Sequence, residues 1–356
     1  MKSCERYYKI IYTNMLLAVN FPSWLRPEII PGLPFRWYGL MYLVAFGIAY
    51  LLCRVQIRER NFPISDDDFS GLFFWIILAL VAGARIFATL VYDTNPMYRR
   101  SPWLIFWPFQ NGRFTGLLGM SYHGGVIGAL LAIFIYCARH RLDFREIGDI
   151  ATASIPLGYT FGRLGNFING ELYGRITTGP FGMIFPGAEL PVKEPWVREI
   201  AEKLGYSTAS NYVNLPRHPS QLYEAFFEGI VLWLIIWLIR NKKPFKGFLM
   251  GIYLIGYGFF RFIIEYFREP DAGLGYRITL VKTNIPPALF SSLFNFTTGQ
   301  VFCFAMIILG TVWLIIASRM SGRKPVFVYP QKKESSGEEE RRRQKRNRRK
   351  MRKKLG

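Results

Sequence analysis

The sequence predicts an all-α integral membrane protein with seven transmembrane helices and a cap segment on its outer side. Three observations lead to this fold class. Of the 356 residues, 51% are hydrophobic and 17% are aromatic. The apolar residues gather into runs close to the roughly 20 residues that a helix needs to cross a bilayer. Short basic connections also alternate with longer connections along the chain.

Seven apolar segments are predicted to span the membrane, at 37–55, 70–92, 123–138, 145–164, 220–240, 247–267 and 299–318. The fourth segment is the least apolar, because Asp149, Thr152 and Ser154 interrupt it. An odd number of crossings places the two termini on opposite sides of the membrane.

The connections differ in charge, and that difference predicts the orientation. Lys and Arg are concentrated in the short connections after helices one, three and five: Arg54, Arg58, Arg60, Arg139, Arg141, Arg145, Arg240, Lys242, Lys243 and Lys246. Basic connections stay on the cytoplasmic side. The N-terminus and the longer connections 93–122, 165–219 and 268–298 are therefore expected outside.

Three regions follow from this layout. Residues 1–36 are an outer, interfacial segment, 37–318 form the helical domain with a cap at 176–219, and 319–356 are a basic tail. The net charge of +21 depends strongly on the basic run at 341–354. Such a segment has no apolar residues to bury and is expected to be disordered. It favours an anionic membrane surface, and no nucleic acid partner is expected.

The chain offers no pattern for a metal or a cofactor. Its four cysteines lack paired spacing, and its three histidines are scattered. A disulfide framework or a zinc site would need regular spacing of these residues. No glycine-rich nucleotide loop is present either, so no metal and no cofactor are expected.

Charged residues inside the sixth span need an explanation, because each costs about 3 kcal/mol near the bilayer centre. Tyr257, Arg261, Glu265 and Arg268 follow one another at spacings of four, four and three residues, which places them on one helical stripe. Two arginines beside one glutamate leave a positive charge. Either this stripe ties helices together or an anionic ligand completes it.

The fifth span carries a second set of polar residues at helical spacing: Arg217, Gln221, Glu224 and Glu228. Acidic residues near a helix start are favourable beside the positive end of the helix dipole. Glu228 lies deeper and needs a partner, for which Arg85 or Arg175 is predicted.

Two further stretches lie on the predicted outer side. The stretch GRLGNFINGELYGR, at 162–175, combines Arg163 and Arg175 with Asn166 and Asn169. His123 precedes two glycines at the start of helix three and is a candidate acid or base. Arginine matches phosphate oxygens in a bidentate manner. The residues therefore predict an outward-facing site for an anionic lipid, and both an enzyme and a transporter remain open at this point.

At these residues the chain resembles the bacterial prolipoprotein diacylglyceryl transferases. The resemblance lies in GRLGNFINGELYGR, WYGLMY (37–42), HGGVIG (123–128), PFGMIFPG (180–187), RHPSQLYE (217–224) and RFIIEYFREPD (261–271), in the order of the family, and it covers about 36 to 318. The chain departs from the family at AGARIF in helix two, where a double glycine is common, and at Tyr122, where Phe is common. Neither departure removes a charged group.

The resemblance implies a seven-helix protein of the bacterial inner membrane with a periplasmic N-terminus and a periplasmic cap segment. It implies transfer of the diacylglyceryl group from phosphatidylglycerol to the lipobox cysteine of a prolipoprotein signal peptide, with release of glycerol phosphate. The alternative is a phospholipid or anion transporter, or flippase. The expected catalytic residues are His123, Arg163, Arg261 and Glu265. The expected substrate-binding residues are Tyr38, Arg85, Asn166, Asn169, Glu171, Arg175, Arg217, Gln221, Tyr223, Glu224 and Arg268.

Overall fold

The computed structural model describes residues 18–32, 35–93, 95–110, 112–114, 119–179, 181–270, 275–282 and 285–320. The first 17 residues and the predicted tail from 321 onward lie outside this part of the chain. The helices are α1 (Trp37–Glu59), α2 (Asp66–Tyr92), α3 (Met97–Arg100), α4 (Tyr122–His140), α5 (Phe144–Thr152), α6 (Ile155–Ile168), α7 (Pro195–Lys203), α8 (Ser220–Ile239), α9 (Phe248–Ile264) and α10 (Thr298–Met320).

Short strand pairs connect the loops between these helices. They are β1 (Val19–Asn20) with β4 (Met183–Ile184), β2 (Phe109–Gln110) with β3 (Arg113–Phe114), β5 (Glu189–Pro191) with β6 (Tyr212–Asn214), and β7 (Tyr276–Thr279) with β8 (Asn295–Thr297). The β1–β4 pair is parallel and the other three are antiparallel. A short 3₁₀ helix, Pro102–Phe106, lies between α3 and β2.

Five helices within the described residues are long and apolar enough to cross a bilayer, namely α1, α2, α4, α8 and α10. The 17-residue α9 is a shorter apolar helix. At a rise of about 1.5 Å per residue it is roughly 25 Å long. The prediction of an all-α integral membrane protein is confirmed at this level.

The predicted fourth span, 145–164, is two helices and not one. α5 ends at Thr152 and α6 begins at Ile155, with Pro156 in its first turn. Proline has no backbone N–H, so Pro156 cannot donate to the carbonyl of Thr152 four residues earlier. The sequence analysis interpreted Asp149, Thr152 and Ser154 as polar residues within one weakly apolar helix. In the structure they lie near the break between α5 and α6.

Serine side chains define where two of the spanning helices start. Ser65 accepts a hydrogen bond from the Asp68 amide at 3.0 Å and begins α2. Ser121 accepts from the Gly124 amide at 3.2 Å and begins α4. Both bonds satisfy amides that have no partner within the helix. The start of α4 fixes the position of His123 in its first turn.

α2 and α4 approach each other closely through small residues. A Cβ atom added to Gly83 of α2 would overlap the carbonyl oxygen of Gly124 and lie 3.1 Å from the Cα atom of Gly128, both in α4. Small residues at such contacts let two backbones pack tightly in a membrane, where hydrophobic burial does not drive helices together.

A buried carboxylate joins α5 to the first turn of α9. Asp149 is fully buried and accepts hydrogen bonds from the amides of Gly247, Leu249 and Met250, at 2.9, 2.9 and 3.2 Å. Lys243 donates to Asp149 at 2.8 Å. A negative charge is favourable at the N-terminus of a helix, where amides point outward. Asp149 therefore fixes one end of α9.

The 176–219 segment folds on its own small apolar cluster. The stretch EPWVREIAEKLG contains the short helix α7, in which Val197 and Ala201 are fully buried. These two side chains pack with Val192, Val213 and other apolar residues of the segment. Ala288 of the connection before α10 belongs to the same cluster, so the segment packs against that connection.

We expect Gly83→Ala to lower the free energy of unfolding by about 1–3 kcal/mol, the usual cost of overpacking. The added methyl group would push α2 away from α4. Gly71 lies on the same helix with nothing within 4 Å of an added Cβ atom. Gly71→Ala should be neutral or stabilising by up to ~1 kcal/mol, because alanine favours helix. Thermal unfolding in detergent, followed by circular dichroism, compares the two. Equal midpoints would contradict the close contact.

Candidate active site

Three helices and the segment after α9 bring charged side chains together. α6 contributes Tyr159, Arg163 and Asn166, at spacings of four and three residues that place them on one face. α8 contributes Glu224 and Glu228. Arg261 lies in the last turn of α9, and Glu265 and Arg268 follow it.

Glu224 lies at the centre of this group, which we call the arginine network. Its side chain is 0% exposed, and its Oε2 lies 2.8 Å from Arg163 Nε and 2.9 Å from Arg261 Nη1. Its Oε1 lies 3.6 Å from Arg268 Nη1. One carboxylate therefore contacts three guanidinium groups from two different parts of the chain.

Glu228 lies one turn further along α8, in the π-helical segment Ala225–Val231. Such segments occur often at functional sites. Tyr159 donates its hydroxyl hydrogen to Glu228 Oε2 at 2.6 Å, and Glu228 Oε1 lies 3.7 Å from Arg261 Nη1. The predicted pairing of Glu228 with Arg85 or Arg175 is wrong, because Arg85 and Arg175 bind elsewhere.

Glu265 holds the other side of Arg261. Its Oε2 lies 3.3 Å from Arg261 Nη2, as the four-residue spacing in the sequence predicts. Thr297 donates to Glu265 Oε1 at 3.0 Å. Strand β8 therefore holds the Glu265 carboxylate through Thr297, and this carboxylate in turn contacts Arg261.

A second set of polar groups extends from Arg163 toward the end of α6. Arg163 Nη1 donates to Asn166 Oδ1 at 3.3 Å, and the amides of Asn166 and Asn169 donate to Glu171 Oε1 at 2.9 and 3.3 Å. Gln221 donates to the Glu171 carbonyl at 2.6 Å. Asn169 Oδ1 and Gln221 Oε1 are buried and accept no hydrogen bond from the described residues. Both oxygens are free to accept from a ligand hydroxyl.

The arginine network is balanced in charge. Arg163, Arg261 and Arg268 face the carboxylates of Glu224, Glu228 and Glu265. The sequence predicted an excess of arginine in this region, but it did not place Glu228 among the partners. Arg261 contacts all three carboxylates, whereas Arg163 contacts only Glu224. Arg163 is therefore the less neutralised of these two arginines.

Tyrosines line the network. Tyr122, the first residue of α4, interacts electrostatically with Arg163, Glu228 and Arg261. Tyr257 packs edge-on against Tyr159, with ring centroids 5.9 Å apart.

Tyr38 and His123 lie at the border of the network. Tyr38, in the first turn of α1, interacts electrostatically with Glu171 and Arg163. The imidazole Nδ1 of His123 hydrogen bonds to the Tyr92 hydroxyl at 2.8 Å, and the ring packs against Phe302 of α10. His123 is exposed and, within the described residues, is hydrogen-bonded to Tyr92 and not to the arginines.

Three predicted substrate-binding arginines bind the protein itself. Arg85 donates to the carbonyls of residues 105 and 119, and Arg175 donates to the carbonyls of residues 268, 287 and 289. Arg217 forms a 2.6 Å ion pair with Glu269 and lies over the ring of Tyr173. All three are buried, and their contacts favour a role in holding the loops around the network.

Tyr223 faces away from the network. Its hydroxyl lies 3.3 Å from His218 Nδ1, and its ring packs against Phe267. Burial lowers the pKa of the His218 imidazole, which favours the neutral form that can accept from Tyr223. Gln221, two residues earlier on α8, reaches Glu171 instead. Side chains of the RHPSQLYE stretch therefore contact two different regions: Gln221 binds Glu171, and Tyr223 contacts His218 and Phe267.

Sequence reasoning missed Tyr159 and did not count Glu228 and Tyr122 among the site residues. The signal for Tyr159 was its position four residues before Arg163, which places it on the same helical face. Among the described residues, no group of three or more His, Cys, Asp or Glu side chains could hold a metal ion. The network is suited to binding an anion through its guanidinium groups.

We expect Glu224→Gln to reduce the free energy of unfolding by about 3–5 kcal/mol, because it leaves buried charges without their partner. The matched control is Glu199→Gln in α7, which removes the same charge from an exposed pair with Lys203. Exposed pairs contribute little to stability. Thermal unfolding of both variants in the same detergent tests this. Similar midpoints would show that Glu224 does not hold the network together.

Comparisons with known proteins identify the family of this chain. The family model described as Prolipoprotein diacylglyceryl transferase matches residues 28–316. A relative from Treponema denticola is 54% identical over 322 residues, which cover 85% of this chain and 95% of the relative. Relatives from Treponema pallidum and Chlorobaculum tepidum are 53% and 45% identical, and the matches cover 98% and 96% of their lengths and 87% of this chain. All three are named phosphatidylglycerol–prolipoprotein diacylglyceryl transferase. The chain belongs to the prolipoprotein diacylglyceryl transferase family.

Proposed function

We propose that this protein transfers the diacylglyceryl group of phosphatidylglycerol to the thiol of the lipobox cysteine in prolipoprotein signal peptides. Membership of the family and the names of the curated relatives support this function. The observation that carries it within the structure is the arginine network, in which Arg163 keeps part of its guanidinium group free. This is the first step of bacterial lipoprotein maturation.

The reaction forms a carbon–sulfur bond and breaks two bonds, the thiol S–H bond and a carbon–oxygen bond. The cysteine sulfur bonds to the terminal glycerol carbon of the diacylglyceryl group, and the bond from that carbon to the phosphate oxygen breaks. The products are a thioether and glycerol phosphate, and the thiol proton is lost. The phosphate changes from a monoanionic diester to a monoester that carries more negative charge. Positive groups fixed near the phosphate therefore stabilise the transition state more than the substrate.

Arg163 and Arg261 provide this positive charge. Arg163 Nη2 makes no hydrogen bond to the described residues, so it can donate to a phosphate oxygen while Nε and Nη1 stay bound. Arg261 is surrounded by carboxylates and contributes its charge from a fixed position, held by Glu265. Arg268 reaches the same carboxylate of Glu224 from the far end. Arginines in a site that excludes water stabilise charge better than they do in solution.

The headgroup of phosphatidylglycerol carries glycerol hydroxyls, which need acceptors. Glu171 offers its carboxylate, and Asn169 Oδ1 and Gln221 Oε1 are buried acceptors without a protein donor in the described residues. Asn166 links these groups to Arg163, and Tyr38 lies beside them. These residues position the headgroup next to the phosphate site.

The peptide thiol needs a group that takes its proton. His123 is our candidate, because it is exposed at the start of α4, next to Tyr122, which interacts electrostatically with Arg163 and Arg261. The positive charge of the arginines also favours the thiolate. Arg85, Arg175, Arg217 and Tyr223 act indirectly in this proposal, by holding the surrounding loops.

The transferase is better supported than a transporter or flippase. The curated relatives reported above are named as transferases. A transporter would be expected to show repeat symmetry and polar residues along a path through the membrane. The network instead joins α6, α8 and the C-terminal end of α9.

We further propose seven crossings of the bacterial inner membrane. The five long apolar helices, the shorter α9 and the α5–α6 pair would make these crossings. The basic connections 54–60, 139–146 and 240–246 support a periplasmic N-terminus and a cytoplasmic C-terminus. The 176–219 segment is then a periplasmic cap near the arginine network.

Reporter fusions test this orientation. Green fluorescent protein at the C-terminus should fluoresce, because it folds in the cytoplasm. Alkaline phosphatase inserted at Ser207 in the cap segment should be active, because it requires the periplasm. An active phosphatase at the C-terminus would contradict the orientation.

A transfer assay tests the function. Purified protein in detergent receives phosphatidylglycerol labelled in the diacylglyceryl group and a lipobox peptide. We expect labelled peptide and an equal amount of glycerol phosphate. Arg163→Lys should lower kcat/KM by roughly 100- to 1,000-fold, because lysine cannot donate from a planar fork.

Two controls make the assay specific. A peptide with serine in place of the lipobox cysteine should receive no label. Arg198→Lys makes the same change on the exposed surface of α7 and should keep wild-type rates. Protein that binds the lipid but never transfers the label would refute the transferase.

A further inference from the structure

We propose that Tyr159 is a positioning residue for the transfer reaction, because it holds the Arg163 guanidinium with one nitrogen directed to the phosphate. This inference rests on the proposed function. Arg163 Nε donates to the Tyr159 hydroxyl at 2.6 Å, and that hydroxyl donates to Glu228 Oε2 at 2.6 Å.

The direction of these hydrogen bonds is fixed by chemistry. A guanidinium group can only donate, so the Tyr159 oxygen must accept from Arg163. Its single hydrogen then goes to Glu228, whose Oε2 is nearer than the Oε2 of Glu224 at 3.4 Å. Tyr159 therefore lies between a cation and an anion and bonds to both.

This arrangement has two consequences for Arg163. Glu228 does not neutralise Arg163 directly, because the hydroxyl separates them. Rotation of the Arg163 guanidinium would break its hydrogen bonds from Nε to Tyr159 and from Nη1 to Asn166, and it would disturb the ion pair with Glu224. The remaining nitrogen, Nη2, has a defined direction before any lipid binds.

The ring of Tyr159 adds to this fixed position. The Arg163 guanidinium lies 4.8 Å from the ring centroid, and the ring packs edge-on against Tyr257. Phenylalanine at position 159 would keep both ring contacts. Tyr159→Phe therefore removes the hydroxyl and leaves the ring contacts in place.

We expect Tyr159→Phe to lower kcat/KM for phosphatidylglycerol by roughly 10- to 100-fold, the range for losing a hydrogen bond to a charged group and misplacing a catalytic group. The KM for the lipobox peptide should stay within about twofold, since Arg163 acts on the phosphate. The control is Tyr136→Phe in α4, which removes a hydroxyl bonded to the Asp68 carbonyl at 2.8 Å, outside the network. It should keep wild-type kinetics.

A double-mutant cycle separates positioning from plain stabilisation. In the Arg163→Lys background, Tyr159→Phe should change kcat/KM by less than about threefold, because the group that it positions is gone. Equal losses in both backgrounds, or equal losses for lipid and peptide, would show a structural role and overturn the proposal. Wild-type kinetics of Tyr159→Phe would also overturn the proposal for Tyr159. The proposed function is tested separately, because it depends on whether the wild-type protein transfers the label.

A second variant covers the case in which Tyr159→Phe does not fold. Glu228→Gln keeps the side-chain volume and weakens the same hydrogen bond from its other end. It should also lower kcat/KM for the lipid more than it changes the KM for the peptide. An unchanged kcat/KM for the lipid in Glu228→Gln would overturn the proposal.

Discussion

The contact of the Glu224 carboxylate with three arginines is the interaction on which the rest of the site depends. A buried charge costs several kcal/mol unless it is paired and hydrogen-bonded. Glu224 is fully buried, and Arg163, Arg261 and Arg268 reach it from α6 and from the end of α9. Because these helices are separated along the chain, the carboxylate can be satisfied only when they pack correctly. The arginine network therefore forms only when these helices pack together, and its ion pairs hold the helices in that arrangement.

A balanced network also explains how a protein can keep so many charges among apolar helices and still bind an anion. Glu228 and Glu265 complete the partners of Arg261, so three carboxylates face three guanidinium groups in the network. Arg163 is the exception, because Glu224 is its one ion-pair partner among the described residues and a tyrosine hydroxyl replaces a second carboxylate. In the proposed reaction, the phosphate of the lipid would bind the unused donor of Arg163 without breaking the other ion pairs.

The sequence predicted the helical membrane fold and most of the residues of the network, because the signals for both are local. Apolar runs identify the long helices, and spacings of three and four residues place Arg261, Glu265 and Arg268 on one stripe. The partner of Glu228 could not be predicted in this way, since Tyr159 and Arg261 lie on other helices. Helical periodicity shows which face a residue occupies, but it does not show which helix packs against that face.

The same limit applies to the protein contacts of Arg85, Arg175 and Arg217, which the sequence analysis expected to bind substrate. Their actual partners include backbone carbonyls of distant loops, and a sequence carries no local mark for such contacts. The break between α5 and α6 was visible in Pro156, but the polarity beside it was taken as a weakness of one helix. Asp149 shows what that polarity does, because it fixes the first turn of α9.

α9 is thus held at both ends by buried carboxylates on other helices. Asp149 of α5 binds the amides of its first turn, and Glu224 of α8 binds Arg261 in its last turn. A helix of 17 residues is short for a bilayer, so its position depends on such contacts more than on its own apolar surface. Since Arg261 is part of this helix, the distance between Arg261 and Arg163 is set by the same two carboxylates. Asp149 and Glu224, which would be costly to bury alone, therefore help to fix the spacing of Arg163 and Arg261.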